Sequence, residues 1–132
     1  MKFKSTAISV SILLFTLLIS ACASVSPEEL ENADFGEEPT NYEYDIKNLM
    51  SRLLKDPASA TYQFAEPRKG MTQDGWAVGG KKYFGYIVPV SINAKNSFGG
   101  YTGAKQYYFL FSEGKVMEVT SMIGSGMGKI LE

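Results

Sequence analysis

The longest period-two pattern in the chain runs from Tyr83 to Ala94. Tyr86, Val88, Val90, Ile92 and Ala94 fall on one side, and Ile87, Pro89, Ser91 and Asn93 on the other. Such alternation predicts a strand with two distinct faces. Pro89 has no N–H to give a neighbour, so an edge or a bulge is expected at that point.

The flanking segments fit a sheet with one helix. Tyr42, Ile46, Leu49 and Leu53 recur at helical spacing, with Met50 and Leu54 widening the apolar face. Thr40 and Glu43 have the spacing of a capping box, and Pro57 predicts a stop near Lys55. Asp56-Pro57 predicts a tight turn, followed by a strand through Thr61–Phe64. Glu66 to Gly75 reads as a loop and Trp76-Ala77-Val78 as a short strand, broken by Gly79-Gly80. Gln106–Phe111 and Lys115–Ser121 read as strands joined by a hairpin turn at Glu113-Gly114. The expected class is α+β: one N-terminal amphipathic helix packed on an antiparallel sheet of about four strands. Residues 40–123 would form this domain, with 124–132 as a frayed tail.

Composition narrows the chemistry. The chain has no histidine, and Cys22 is its only cysteine. Intramolecular disulfides, the usual zinc and copper sites, and Ser-His-Asp or Cys-His catalysis are therefore excluded. An enzyme here would depend on Asp, Glu, Lys, Tyr or Ser. The net charge of −1 conceals an asymmetry. Residues 23–45 carry eight acidic and no basic side chains, whereas 46–132 carry eleven basic and six acidic. The small excess of positive charge does not predict nucleic-acid binding. Residues 22–39 read as a flexible acidic tether.

Ahead of that tether, Lys2 and Lys4 precede an apolar run from Ala7 to Ile19. This is the pattern of an export signal over residues 1–21. Ile19-Ser20-Ala21-Cys22 resembles the lipobox of bacterial lipoproteins. The resemblance implies cleavage before Cys22, with diacylglycerol and an N-acyl chain on that residue. It places the protein in the bacterial cell envelope. Ala23 instead of aspartate implies the outer membrane where two membranes exist. Ordinary secretion with a spare thiol, or retention of residues 5–26 as a membrane helix, are the competing readings. No cofactor beyond the lipid is implied.

Two further stretches, Lys55-Asp56-Pro57-Ala58-Ser59-Ala60 and Asn93-Ala94-Lys95-Asn96-Ser97-Phe98-Gly99-Gly100-Tyr101-Thr102-Gly103, together resemble a group of small exported bacterial proteins. In that group a lysine-aspartate-proline turn follows a helix, and an asparagine- and glycine-rich motif lies between strands. Many of its members carry a cysteine before the second motif. This chain has none there, so the resemblance implies no redox or disulfide role, and it implies no reaction.

The second stretch is the candidate binding loop. Gly99, Gly100 and Gly103 permit positive φ, so successive N–H groups can converge. Asn93, Asn96, Ser97 and Thr102 offer hydrogen bonds, Lys95 and the following Lys105 offer positive charge, and Phe98 and Tyr101 offer flat faces. The competing reading is a purely structural connection with both aromatics tucked inward. Gly124–Lys129 superficially resembles a phosphate loop but lacks the first glycine and the following helix. The functional expectation is a lipid-anchored, non-enzymatic binding or assembly module, meeting the membrane through its anchor and an envelope protein or glycan through its domain. Alternatives are a small envelope hydrolase using carboxylates and an inhibitor or immunity-type lipoprotein.

Overall fold

The computed structural model describes residues 25–131. Cys22 and the apolar run before it lie outside these residues. The fold is α+β, with helices on an antiparallel sheet. The long alternating segment is the central strand. It is β3, Lys82–Asn93, preceded by β1 (Thr61–Phe64) and β2 (Arg68–Gln73). β4 (Lys105–Ser112), β5 (Lys115–Glu118) and β6 (Gly128–Ile130) follow it. The sheet order is β5-β4-β3-β2-β6, and β1 lies in line with β2 on the same edge of β3. Six strands replace the four expected among the described residues.

Pro89 sits where its missing donor does least damage. Its carbonyl accepts the Ala65 N–H at 2.9 Å, so its ring nitrogen faces the same side. Arg68 then pairs with Ile87, leaving Glu66 and Pro67 opposite Val88 alone. Two residues against one is a bulge, and it separates β1 from β2. β4 pairs with β3 unbroken across the same position, with Pro89 opposite Tyr108. The β4–β5 turn is the expected hairpin: Glu113 and Gly114 both have positive φ, 51° and 72°. That is the twist a two-residue connection needs.

Both faces of the sheet bury apolar side chains. On one, Val88, Val90, Ile92 and Phe109 pack with Ile46 and Met50 of α2 (Tyr42–Met50). On the other, Ile87, Leu110 and Val119 pack with Met122, Ile123 and Ile130. Burying each such large aliphatic group stabilises by about 1.5–3 kcal/mol. α2 is shorter than its periodicity implied. Its end tightens through Arg52 N–H to Leu49 O and Leu53 N–H to Met50 O, ahead of Pro57. The Thr40–Glu43 box does not form; Asn41 is the N-cap and makes no side-chain bond. Asp56-Pro57 does give a tight turn, a single 3-10 turn over Pro57–Ser59.

The segment read as a loop, Glu66 to Gly75, contains β2, in which Met71 and Thr72 are almost wholly buried. Its polar, glycine-containing sequence hides a strand because Gly70 is needed there. A Cβ at that position would collide with the Ile87 side chain. Trp76–Val78, expected to be a strand, is a 3-10 turn between β2 and β3. The expected fraying of 124–132 is also corrected for the described residues. After β5 the chain forms α3 (Thr120–Gly124), crosses the second face and adds β6 outside β2. Gln73 N–H to Met127 O, 2.7 Å, and Leu131 N–H to Lys69 O, 2.8 Å, extend that pairing.

The acidic tether is likewise not free over its described part. Ser26 and Glu29 form a complete capping box on α1 (Pro27–Glu31). The Glu29 carboxylate meets Lys82 Nζ at 2.6 Å. Phe35 packs edge-on against Phe84 at 5.7 Å between ring centres, with Lys69 Nζ 5.3 Å from the Phe35 ring centre. Composition predicted solvation; one aromatic and one ion pair override it.

The Lys82 hydrogen bond, helped by the Ser26 N–H, holds the Glu29 carboxyl below its ordinary range. Its contribution is complete above the carboxyl's unfolded pKa, about 4.3, and disappears as pH falls through the lowered folded value. Amide exchange of residues 26–36 is therefore expected to be constant from neutral pH down to about pH 5 after correction for intrinsic rates. It should accelerate below the carboxylate range. Glu29→Gln should remove most of that acid-dependent step.

Candidate functional site

β3 ends at Asn93, and the candidate loop leaves from there. The loop closes on itself. Lys95 and Tyr101 face each other in an antiparallel bridge. Asn96 then organises the tip. Its N–H donates to Gly100 O at 2.9 Å, and its own carbonyl accepts the Gly99 N–H at 3.0 Å. Its side-chain oxygen accepts the N–H groups of Phe98, 2.9 Å, and Gly100, 3.2 Å. The converging N–H groups expected of this loop are thus present, but Asn96 Oδ1 fills their concavity. Gly99 and Gly103 have positive φ, 79° and 96°; Gly100 does not use that freedom.

The base of the loop is pinned from the other motif. Ser59 Oγ accepts the Lys95 N–H at 2.8 Å, and Ser59 O accepts the Tyr101 hydroxyl at 3.0 Å. Ser59 also donates its own hydroxyl to Asp56 O at 2.8 Å. The Lys95 ammonium lies 5.6 Å from the Tyr101 ring centre, within cation–π range. The two stretches singled out from the sequence therefore form one structural unit. Ser59 joins them, a role that spacing along the chain did not disclose.

Asn93 lies at the root. Its carbonyl accepts the Thr61 hydroxyl at 3.4 Å, while its side-chain oxygen is buried without a hydrogen-bond partner. Ser97 and Thr102 are exposed. Phe98 does not tuck inward: it is 95% exposed. Tyr101 is 52% exposed despite its bond to Ser59.

Beside the loop is a cleft of about 200 Å3 between it, β4 and the segment that follows α2. Lys55, Lys95 and Lys105 line it, together with Asn96, Thr102 and the apolar Leu53, Leu54 and Tyr107. No carboxylate lines it. Asn96, whose side-chain oxygen is spent on the backbone of the loop tip, is also among its lining residues. The charged side chains of the lining are therefore all cationic. Larger clefts, about 590 and 540 Å3, lie at the opposite end, between the N-terminal segment and the β4–β5 turn.

A hydrolase of the carboxylate kind would need free acids, and several acids on the loops and turns are engaged. Asp74 accepts the Tyr83 hydroxyl at 3.2 Å, Glu113 pairs with Lys81 at 3.5 Å, and Glu118 accepts the Thr120 N–H at 2.8 Å. Glu66 stands exposed at the bulge. Among the described residues no group of three or more His, Cys, Asp or Glu side chains could hold a metal ion. No helix among them is long and apolar enough to cross a membrane. No protein-family model, curated protein or solved structure matches the chain.

Asn96→Ala removes the acceptor for two backbone N–H groups. It should cost about 1–2 kcal/mol in chemical denaturation and speed exchange of the Phe98 and Gly100 amides. Asn96→Asp keeps an acceptor oxygen and should retain most of that protection. Equal loss in both variants would contradict the assigned role.

Proposed function

We propose that the chain is a lipid-anchored bacterial envelope lipoprotein whose folded part is a non-enzymatic binding module, with the Asn93–Gly103 loop as its contact surface. The observation that carries the binding reading is Phe98. A large aromatic stands almost fully exposed on a loop whose backbone is held by its own hydrogen bonds. Exposing such a side chain from a well-tied loop forgoes the stabilisation of burial, which favours a role in contact. The anchoring half rests on Lys2, Lys4, the Ala7–Ile19 run and the Ile19–Cys22 pattern. A thiol is the side chain suited to thioether formation, and two or more acyl chains make release from a bilayer negligible.

An inhibitor or immunity-type lipoprotein is the second reading, favoured by the same exposed aromatics, Phe98 and Tyr101. The hydrolase reading has less support, because Asp74, Glu113 and Glu118 have structural partners. The docked N-terminal segment also changes the expected reach. With Glu29 on Lys82 and Phe35 on Phe84, the domain would stand close to its anchor instead of swinging on a long tether.

Metabolic labelling with a palmitate analogue tests the anchor. The wild-type chain should be labelled and its mature mass should include the lipid; Cys22→Ala should lose both. A mature wild-type product without lipid would contradict the anchoring.

A further inference from the structure

The loop end combines three properties that arise from different residues. The cleft carries three lysines and no carboxylate. Lys55 and Lys105 are exposed, and neither has an ion-pair partner among the described residues. Apolar groups are exposed at the same end: Leu53, 57% exposed, lines the cleft, and Phe98, 95% exposed, stands on the tip of the loop. Finally, the loop is at the far end of β3 from the docked N-terminal segment. Glu29 and Phe35 hold to Lys82 and Phe84, whereas the loop begins after Asn93. Twelve residues of strand separate these ends by about 35–40 Å.

From these we infer that the loop end is a docking surface for an anionic phospholipid bilayer, with a lipid phosphate at the Lys55–Lys95–Lys105 cleft and Phe98 in the interfacial layer. The inference rests on reading this loop as the binding surface. Three lysines with no carboxylate beside them select an anion, and their ammonium groups, which only donate, suit one rich in acceptor oxygens. A cleft of about 200 Å3 suits a headgroup-sized moiety. Phe98 projects outward as a convex tip. A folded protein would need a matching hollow to receive it, whereas a bilayer deforms around it. Lysines flanking an inserted aromatic are the usual chemistry of peripheral attachment to acidic lipid. The opposite placement of the N-terminal segment directs this surface away from the anchor, toward a second bilayer.

The test uses the full chain carried by its own anchor in neutral phosphatidylcholine vesicles. Dye-labelled, protein-free acceptor vesicles, with or without phosphatidylglycerol, are added and their capture is measured. Anionic acceptors should be captured at low salt and released as ionic strength rises, and neutral acceptors should not be captured. Each lysine contributes about fivefold, so combining Lys55→Ala, Lys95→Ala and Lys105→Ala should reduce capture about 100-fold. Phe98→Ser should reduce it about tenfold with an unchanged melting curve. Equal capture of neutral and anionic acceptors, or insensitivity to these substitutions, would overturn the inference. Complete competition by glycerol phosphate would assign the cleft to a small soluble phosphate instead. Clustering of the donor vesicles alone would assign the surface to a second copy of the chain. A chain that fails to stay on the donors refutes the anchoring alone. Sedimentation of that free chain with the same acceptors then reads the docking, and no binding to anionic vesicles would overturn it.

Discussion

β3 is hydrogen-bonded along both edges, and the rest of the fold depends on that. A strand in this position needs partners for every N–H and C=O it buries. β4 supplies them on one side from Tyr86 to Ile92. On the other side β1 and β2 share the work, and the break between them falls where Pro89 has no N–H to satisfy. The bulge adds a residue to the strand facing β3. It resets side-chain phase between β1 and β2, so Phe64 serves the α2 face while Met71 can serve a buried position further along. With both faces of the sheet apolar, both must be covered. α2 covers one, and the C-terminal crossover through α3 to β6 covers part of the other.

The same strand delivers the loop. Its last residue, Asn93, hands the chain to a closed tip whose polar groups are satisfied locally by Asn96 and from below by Ser59. Two chain segments far apart in sequence are thereby made into one platform. Because the platform is held by its backbone, Phe98 can stand outside it without supporting it. Charge differs between the two ends: the clefts beside the N-terminal segment and the β4–β5 turn are lined by acidic side chains together with Lys82 and Lys115, whereas the cleft at the loop end is lined by lysines without a carboxylate.

Much of this was legible where side chains carry a period. The alternation of β3, the helical face of α2 and the Glu113-Gly114 turn were all readable, because each rests on local sequence. Pro89 correctly announced an irregularity without saying which neighbour would bear it. β2 and β6 were missed because their glycines are packing solutions, and glycine in isolation reads as a breaker: Gly128 lets β6 approach Thr72, and a Cβ there would lie 3.0 Å from its methyl group. The docked N-terminal segment was missed because a single Phe35 contact and one Glu29–Lys82 pair do not alter an acidic composition. At the candidate site the loop was found from its residue types. Its closure by Asn96, its attachment to Ser59 and the participation of Lys55 and Leu53 in the neighbouring cleft are products of tertiary structure.

The central claim is that the sheet presents a rigid loop whose aromatic side chain faces outward and is not part of the core. Chemical denaturation of Phe98→Ser beside the wild type tests this most directly. The structure predicts equal stabilities within about 0.5 kcal/mol, as for an exposed position. A loss of about 3 kcal/mol or more, the usual consequence of truncating a buried phenylalanine, would contradict it.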